Sequence, residues 1–165
     1  MLGNPETAAI DALRPGALYN YNMLAYVDAA FFSNINKYFA GGGKPEEIAN
    51  QGFRPNLKKR GAIRSIFDGQ YKFSRYFSPL EHHMPRTLEQ LFAHNDVELF
   101  DIKNDPLELR NLALDYKKHG ELISMMNGKL NLLIEREVGE DHGQMMPGND
   151  VSDWKLSPDI QYLRL

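Results

Sequence analysis

The strongest periodicity lies toward the C-terminal end of the chain. Leu122, Ile123, Met126, Leu130, Leu133, Ile134 and Val138 recur at close to 3.6 residues and make one apolar stripe. Glu121, Lys129, Glu135 and Arg136 fall largely outside it. The pattern predicts the longest helix over about 117–138, with Gly139 as its stop.

A second pattern has a period of two. Residues 60–67 and 70–77 are β-prone and flank Asp68-Gly69, which predicts a hairpin with a two-residue type I′ loop. That loop would place Phe67 opposite Gln70, Ile66 opposite Tyr71, Arg64 opposite Phe73 and Ala62 opposite Arg75. Ile66, Arg64, Tyr71, Phe73 and Arg75 then share one face, and Ile63, Phe67 and Lys72 the other. Neither face is purely apolar, so one side is expected to be covered and the other to line an interface or cleft.

Shorter signals fill in the rest. Met23, Tyr26, Val27, Ala30 and Phe31 recur at helical spacing within the aromatic-rich stretch 17–40, predicting a helix that ends at Gly41-Gly42-Gly43. Pro45 can open another short helical turn. Thr87 is placed to cap a helix carrying Leu88, Leu91 and Phe92. Residues 97–102 read as a strand, and Asp105-Pro106-Leu107-Glu108 reads as a capped helix start. The first 16 residues read as a connecting segment. The tail 140–165 reads as irregular, with Trp154 and Tyr162 expected to pack on something.

The expected architecture is therefore α+β: a small antiparallel sheet packed by a long C-terminal helix, with a helical or irregular N-terminal segment and an irregular tail. A chain of 165 residues, 42% hydrophobic and 25% charged, fits a single globular domain. The net charge of −3 gives no electrostatic case for nucleic acid or an anionic membrane, and no apolar run approaches a bilayer span. The first residues, Met1-Leu2-Gly3-Asn4-Pro5-Glu6, do not read as a signal peptide. The absence of cysteine removes disulfides, thiolate metal sites and a cysteine nucleophile together.

Candidate chemistry is sparse. Gly41-Gly42-Gly43-Lys44 fails the phosphate-loop pattern, since Tyr38 stands at the first glycine position and Pro45 follows the lysine. It reads as a helix exit. Glu81-His82-His83 could donate to a metal, but neighbouring loop histidines diverge and no further ligand is spaced to join them; Asp141-His142 is weaker still. Arg64, Lys72, Arg75 and Arg86 form a basic, aromatic-interleaved set. Its readings are arginine stems lying over strand aromatics, an attraction for an anionic ester, and single-strand nucleic-acid stacking, the last disfavoured by the acidic net charge. Neither a Gly-x-Ser-x-Gly elbow nor a calcium-binding loop is present.

Residues 98–113, Glu-Leu-Phe-Asp-Ile-Lys-Asn-Asp-Pro-Leu-Glu-Leu-Arg-Asn-Leu-Ala, resemble the C-terminal signature of the sulfatase family, arylsulfatase-like members of the alkaline-phosphatase superfamily. The Arg60-Gly-Ala-Ile-Arg64 and Asp68-Gly-Gln-Tyr-Lys72 segments before it resemble that family's hairpin, and the helix after it is in the family's order. The match covers about 60–138, with 17–40 a weaker match to the approach in some bacterial members. The resemblance implies three parts: 1–59 as linker and short helices leading from a catalytic domain, 60–138 as the C-terminal subdomain, and 139–165 as tail.

In the family this subdomain leans on a larger α/β domain holding Ca²⁺ and a formylglycine made in a Cys/Ser-x-Pro-x-Arg motif, which together hydrolyse sulfate esters. Here Ser78-Pro79 and Ser157-Pro158 do not fit that motif, so no catalytic or metal residue carries over. The resemblance implies no cofactor in this chain, no activity alone, and a sulfatase catalytic domain as partner in cis or as a separate chain, with self-association possible. It makes His82, His83 and Arg75 candidates to border the substrate entrance. The rival expectation is a stand-alone interaction module that keeps this fold.

Overall fold

The computed structural model of the chain describes residues 14–23, 28–81 and 84–140. In chain order these give β1 (Ala17–Asn22), α1 (Ala29–Ala40), β2 (Ala62–Phe67), β3 (Tyr71–Phe77), α2 (Leu88–His94), β4 (Asn95–Asp101) and α3 (Tyr116–Glu137). Short 3₁₀ turns lie at Pro45–Gln51, Pro79–Glu81 and Leu112–Asp115. The four strands form one antiparallel sheet in the order β1-β2-β3-β4, and α3 packs across one face. This is the expected α+β architecture, and the long helix falls within one residue of its predicted bounds at either end.

The core follows from the two periodicities meeting. Ile66 of β2, Phe73 of β3 and Leu99 of β4 point to the same side of the sheet and are fully buried. Ile123, Met126, Leu130, Leu133 and Ile134 of α3 close over them, with Leu91 of α2 and Ala113 at the margins. Burying such side chains contributes roughly 1.5–3 kcal/mol each, which is what fixes α3 on this face. A second, smaller cluster gathers Phe31 and Ile35 of α1 around Ile48. Asp28 ties that cluster to the sheet side: its carboxylate caps α1 at Phe31 and accepts from the Asn56 N–H at 2.7 Å and the Lys59 amine at 3.3 Å.

Three local expectations are corrected. First, the stretch 17–40 holds a strand, 17–22, ahead of its helix, and the helix, α1, starts at Ala29 and ends before Gly41 as expected; Tyr26 and Val27 lie outside the described residues. Leu18 lies over the core while Tyr19 and Tyr21 face the other way, a period-two pattern that pairing with β2 selects. Gly16 allows the entry, since a Cβ there would stand 2.6 Å from the Phe67 carbonyl oxygen and 2.7 Å from Ile66 Cγ1.

Second, the hairpin register is Phe67 opposite Lys72, Ile66 opposite Phe73, Arg64 opposite Arg75 and Ala62 opposite Phe77. The Asp68 N–H still bonds the Tyr71 carbonyl at 3.1 Å, so the loop residues are Gly69 and Gln70 rather than Asp68 and Gly69. Only Gly69 needs a positive φ, +98°, as a Gly-x loop does. The shift is two residues, so the predicted faces survive; a one-residue slip would have exchanged them. Third, Asp105–Glu108 is a turn rather than a helix. The Asp105 side chain accepts from the N–H groups of Leu109 and Arg110, and Glu108 at φ +54° turns the chain away from a helical path.

Candidate functional site

The four basic residues grouped in the sequence occupy three separate environments. Arg64 and Arg75 are direct cross-strand partners on the α3 side, 2% and 1% exposed. Lys72 stands on the opposite face, ion-paired with Glu108 and over the Phe100 ring. Arg86 is exposed in the loop before α2 and lies 3.6 Å from Glu135 of α3. They do not make one basic surface.

Arg75, a candidate for the entrance wall, is almost fully buried. Its guanidinium lies beneath α3 and donates to Asn127 Oδ1 at 2.8 Å and Asn131 Oδ1 at 2.7 Å. Those two side chains then donate through Nδ2 to one acceptor, the Pro85 carbonyl, at 2.6 and 2.9 Å. A contact from Arg75 to Met84 Sδ at 3.9 Å reaches the same loop. A buried arginine thus orients two asparagines, and the asparagines fasten the Met84–Pro85 segment to the helix. Arg64, directly opposite, lies over the Phe77 ring at 5.5 Å, so the two like charges diverge along the sheet. His82 and His83, the other two entrance candidates, lie outside the described residues, as do Asp141, His142, Trp154 and Tyr162.

The asparagines were not singled out from the sequence, although a signal existed. Asn127 and Asn131 are one turn apart, and Asn127 sits between Met126 and Leu130 on the apolar stripe. A buried amide there requires hydrogen-bond partners, and the arginines on the helix-facing strands could have supplied them.

Beside this network runs a cleft of about 280 Å³, lined by Arg86 on the loop side and Ser124, Asn127, Gly128, Asn131, Leu132 and Glu135 of α3. The loop wall is held on both sides. The Pro85 carbonyl is taken by the asparagines, and the Arg86 N–H donates to Gln90 Oε1 at 2.9 Å.

The other sheet face carries tyrosines and carboxylates. Across its middle run Tyr19, Ser65, Ser74 and Glu98, each the partner of the next. The two serine hydroxyls are 2.9 Å apart, with Ser65 also donating to the Phe73 carbonyl. Tyr76 donates to Glu98 Oε2 at 3.0 Å, and burial together with this carboxylate pushes its hydroxyl up to about 12, so it stays a donor at neutral pH. Tyr19 and Tyr21 stack at 6.2 Å, and with Phe67 they are 54%, 46% and 40% exposed.

Between β4 and α3 the chain is held by its own side chains. Asn111 accepts from the Leu99 N–H at 3.0 Å and donates to the Val97 carbonyl at 3.1 Å, pairing with the outer edge of β4 as a strand backbone would. Its Oδ1 also accepts from the Ala113 N–H at 3.0 Å and opens the 3₁₀ turn. Asp101 closes the preceding turn through the Asn104 side chain at 2.7 Å, and these bonds hold its carboxyl below the ordinary aspartate value.

The Gly41–Lys44 stretch is a helix exit. The Tyr38 hydroxyl bonds both the N–H and the carbonyl of Lys44, and the Lys44 amine lies 3.9 Å from Glu47. Among the described residues no group of three or more His, Cys, Asp or Glu side chains converges as a metal site. The chain has no cysteine, and neither Ser-Pro pair lies in a Ser-x-Pro-x-Arg motif. No helix among the described residues is long and apolar enough to cross a membrane. No protein-family model matches this chain, and no curated protein or solved structure gives a significant match to it.

Proposed function

We propose that this chain is the supporting C-terminal subdomain of a sulfatase-type enzyme, contributing shape and contact surface to sulfate-ester hydrolysis carried out by a separate α/β catalytic domain. The observation that carries the reading is the connector from β4 to α3. The residues that make the sequence resemble the sulfatase signature, Asp101, Asp105, Glu108 and Asn111, each take a specific bonding role within it. Asp101, Asp105 and Asn111 hold backbone in place and Glu108 holds Lys72, the roles of a scaffold rather than of a reaction.

The partner surface in this reading is the sheet face away from α3. Tyr19, Tyr21 and Phe67 leave large apolar area open there beside the buried Ser65–Ser74 pair. A catalytic domain leaning on that face would bury it.

The reading is tested by co-expressing the chain with the catalytic half of a sulfatase and purifying through a tag on that half. The wild-type chain is expected to co-purify, and the Tyr19→Glu, Tyr21→Glu double variant to be lost while keeping its own fold by circular dichroism. Equal recovery of both would remove this face as the contact, and recovery of neither would sink the partnership. Assayed alone with Ca²⁺ on an aryl sulfate, the chain is expected to give no turnover. Reading the coding sequence upstream for Cys/Ser-x-Pro-x-Arg checks the parentage directly.

A further inference from the structure

We propose that the cleft between the Arg86 loop and α3 is a binding site for a neutral, polyhydroxylated ligand about the size of one hexose. This inference does not rest on the sulfatase reading.

The site is built rather than incidental. Ser124, Gly128, Asn131 and Glu135 follow one another at intervals of four, three and four residues and so share one face of α3. Gly128 lies deep within this 22-residue helix, where glycine is destabilising relative to alanine. No atom outside its own stretch of helix backbone lies within 4 Å of where its Cβ would be, so packing against other elements does not demand the glycine. What it does is keep the cleft floor open to the helix backbone. The opposite wall is preorganised by the buried Arg75, through the two asparagines that grip the Pro85 carbonyl, and by Gln90 on the Arg86 N–H.

The lining chemistry selects the ligand class. Arg75 engages one lone pair on each asparagine Oδ1, and Pro85 engages one hydrogen on each Nδ2. One acceptor and one donor capacity per amide then face elsewhere. The exposed Ser124 hydroxyl both donates and accepts, Arg86 donates, and Glu135 accepts. The charges lining the cleft, Arg86 and Glu135, cancel, which disfavours a free anion. A surface mixing donors and acceptors at close intervals suits hydroxyl groups, which do both, and Leu132 at the rim offers an apolar edge to ring C–H groups. The volume of about 280 Å³ is at the small end of ligand sites, roughly 300–1,000 Å³, and limits the occupant to a single ring.

The test is a titration of the full chain, ¹⁵N-labelled, with glucose, galactose and mannose separately and with sodium sulfate as the anionic arm. At least one sugar is expected to move the Gly128 backbone amide and the Asn127 and Asn131 side-chain amides saturably, with a dissociation constant in the millimolar range. Gly128→Leu fills the cleft without a clash at Cβ and is expected to weaken binding at least tenfold while melting no lower than wild type. Arg86→Ala, on an exposed loop position, provides a second disruption should the helix variant misfold, and is also expected to weaken binding. Three results would overturn the proposal: no saturable shift with any of the sugars, shifts that persist unchanged in both variants, or a saturable response to sulfate alone.

Discussion

Arg75 and Asn127 meet beneath α3 through a 2.8 Å hydrogen bond that joins the middle of the sheet to the middle of the helix, 52 residues apart. With Asn131 on the same guanidinium, this is a polar contact set beside the apolar residues that join sheet and helix. Arg75→Met should therefore destabilise the chain by about 1–3 kcal/mol for each asparagine acceptor left unsatisfied. Adding Asn127→Leu and Asn131→Leu to Arg75→Met should recover part of that loss, because an apolar contact then replaces an orphaned polar one. Recovery stays incomplete, since the Pro85 carbonyl loses both donors. Urea unfolding of the single and triple variants measures both steps; a triple variant weaker than the single would show that the bonds to Arg75 are not the source of the loss.

Gly16 predicts a different failure. Its missing Cβ would fall 2.6 Å from a backbone oxygen of β2, which cannot rotate away. Gly16→Ala must therefore push β1 from β2, at a cost of about 1–3 kcal/mol typical of overpacking. The cost is local. Amide exchange should quicken first at Tyr19 and Tyr21 while α3 keeps its protection. Uniform quickening across β1 and α3 would mean that β1 is integral to the cooperative core.

Much of this fold can be read before the structure, and the misses have identifiable causes. The stripe on α3 and the two-residue period of β2 and β3 are strong because burial is one-sided, and they gave the right faces. The hairpin register moved because the Asp68 carboxylate accepts from the N–H groups of Gln70 and Tyr71, which makes Asp68 the last paired position instead of a loop residue. β1 was hidden because its partner lies 40–50 residues onward, and local spacing carries no information about such pairing. Arg75 was recognised as a residue of interest, but period-two patterning cannot say which face a helix covers, so its place under α3 was illegible. Its asparagine partners were legible in principle, as buried amides on an apolar stripe.

Glu108 separates backbone strain from an ion pair. Its φ of +54° is costly for a residue with a Cβ, by roughly 1–2 kcal/mol, while its carboxylate pairs with Lys72 in a half-exposed setting worth about 0–1 kcal/mol. Glu108→Ala keeps the strain and loses the pair. Glu108→Gly loses the pair and relieves the strain, against some added freedom in the unfolded chain. The glycine variant should be the more stable of the two by several tenths of a kcal/mol to about 1 kcal/mol in thermal unfolding. Equal stabilities would place the cost of the turn elsewhere.

Asp68 gives the pH dependence its sign. Burial alone would raise its carboxyl, but the Lys129 amine at 2.6 Å and the N–H groups of Tyr71 and Gln70 outweigh burial and hold it below the ordinary aspartate value. A group depressed in the folded state binds fewer protons there than in the unfolded chain. Its contribution is therefore fully present above the unfolded pKa, about 3.9, and is lost as pH falls through the lower folded value. Asp28 and Asp101 are shifted in the same direction by their own hydrogen bonds, so among the described residues the acid limb is shared by these carboxylates. Asp68→Asn should lower stability at neutral pH by about 1.5–3 kcal/mol, the range for a hydrogen bond to a charged group. It should also make the fall in stability below about pH 4 shallower, without abolishing it. Lys129→Met should reproduce the neutral-pH loss and also flatten the acid limb, because the Asp68 carboxyl then moves back up toward its unfolded value. An acid limb as steep in both variants as in the wild type would show that the hairpin loop and α3 are not coupled through this pair.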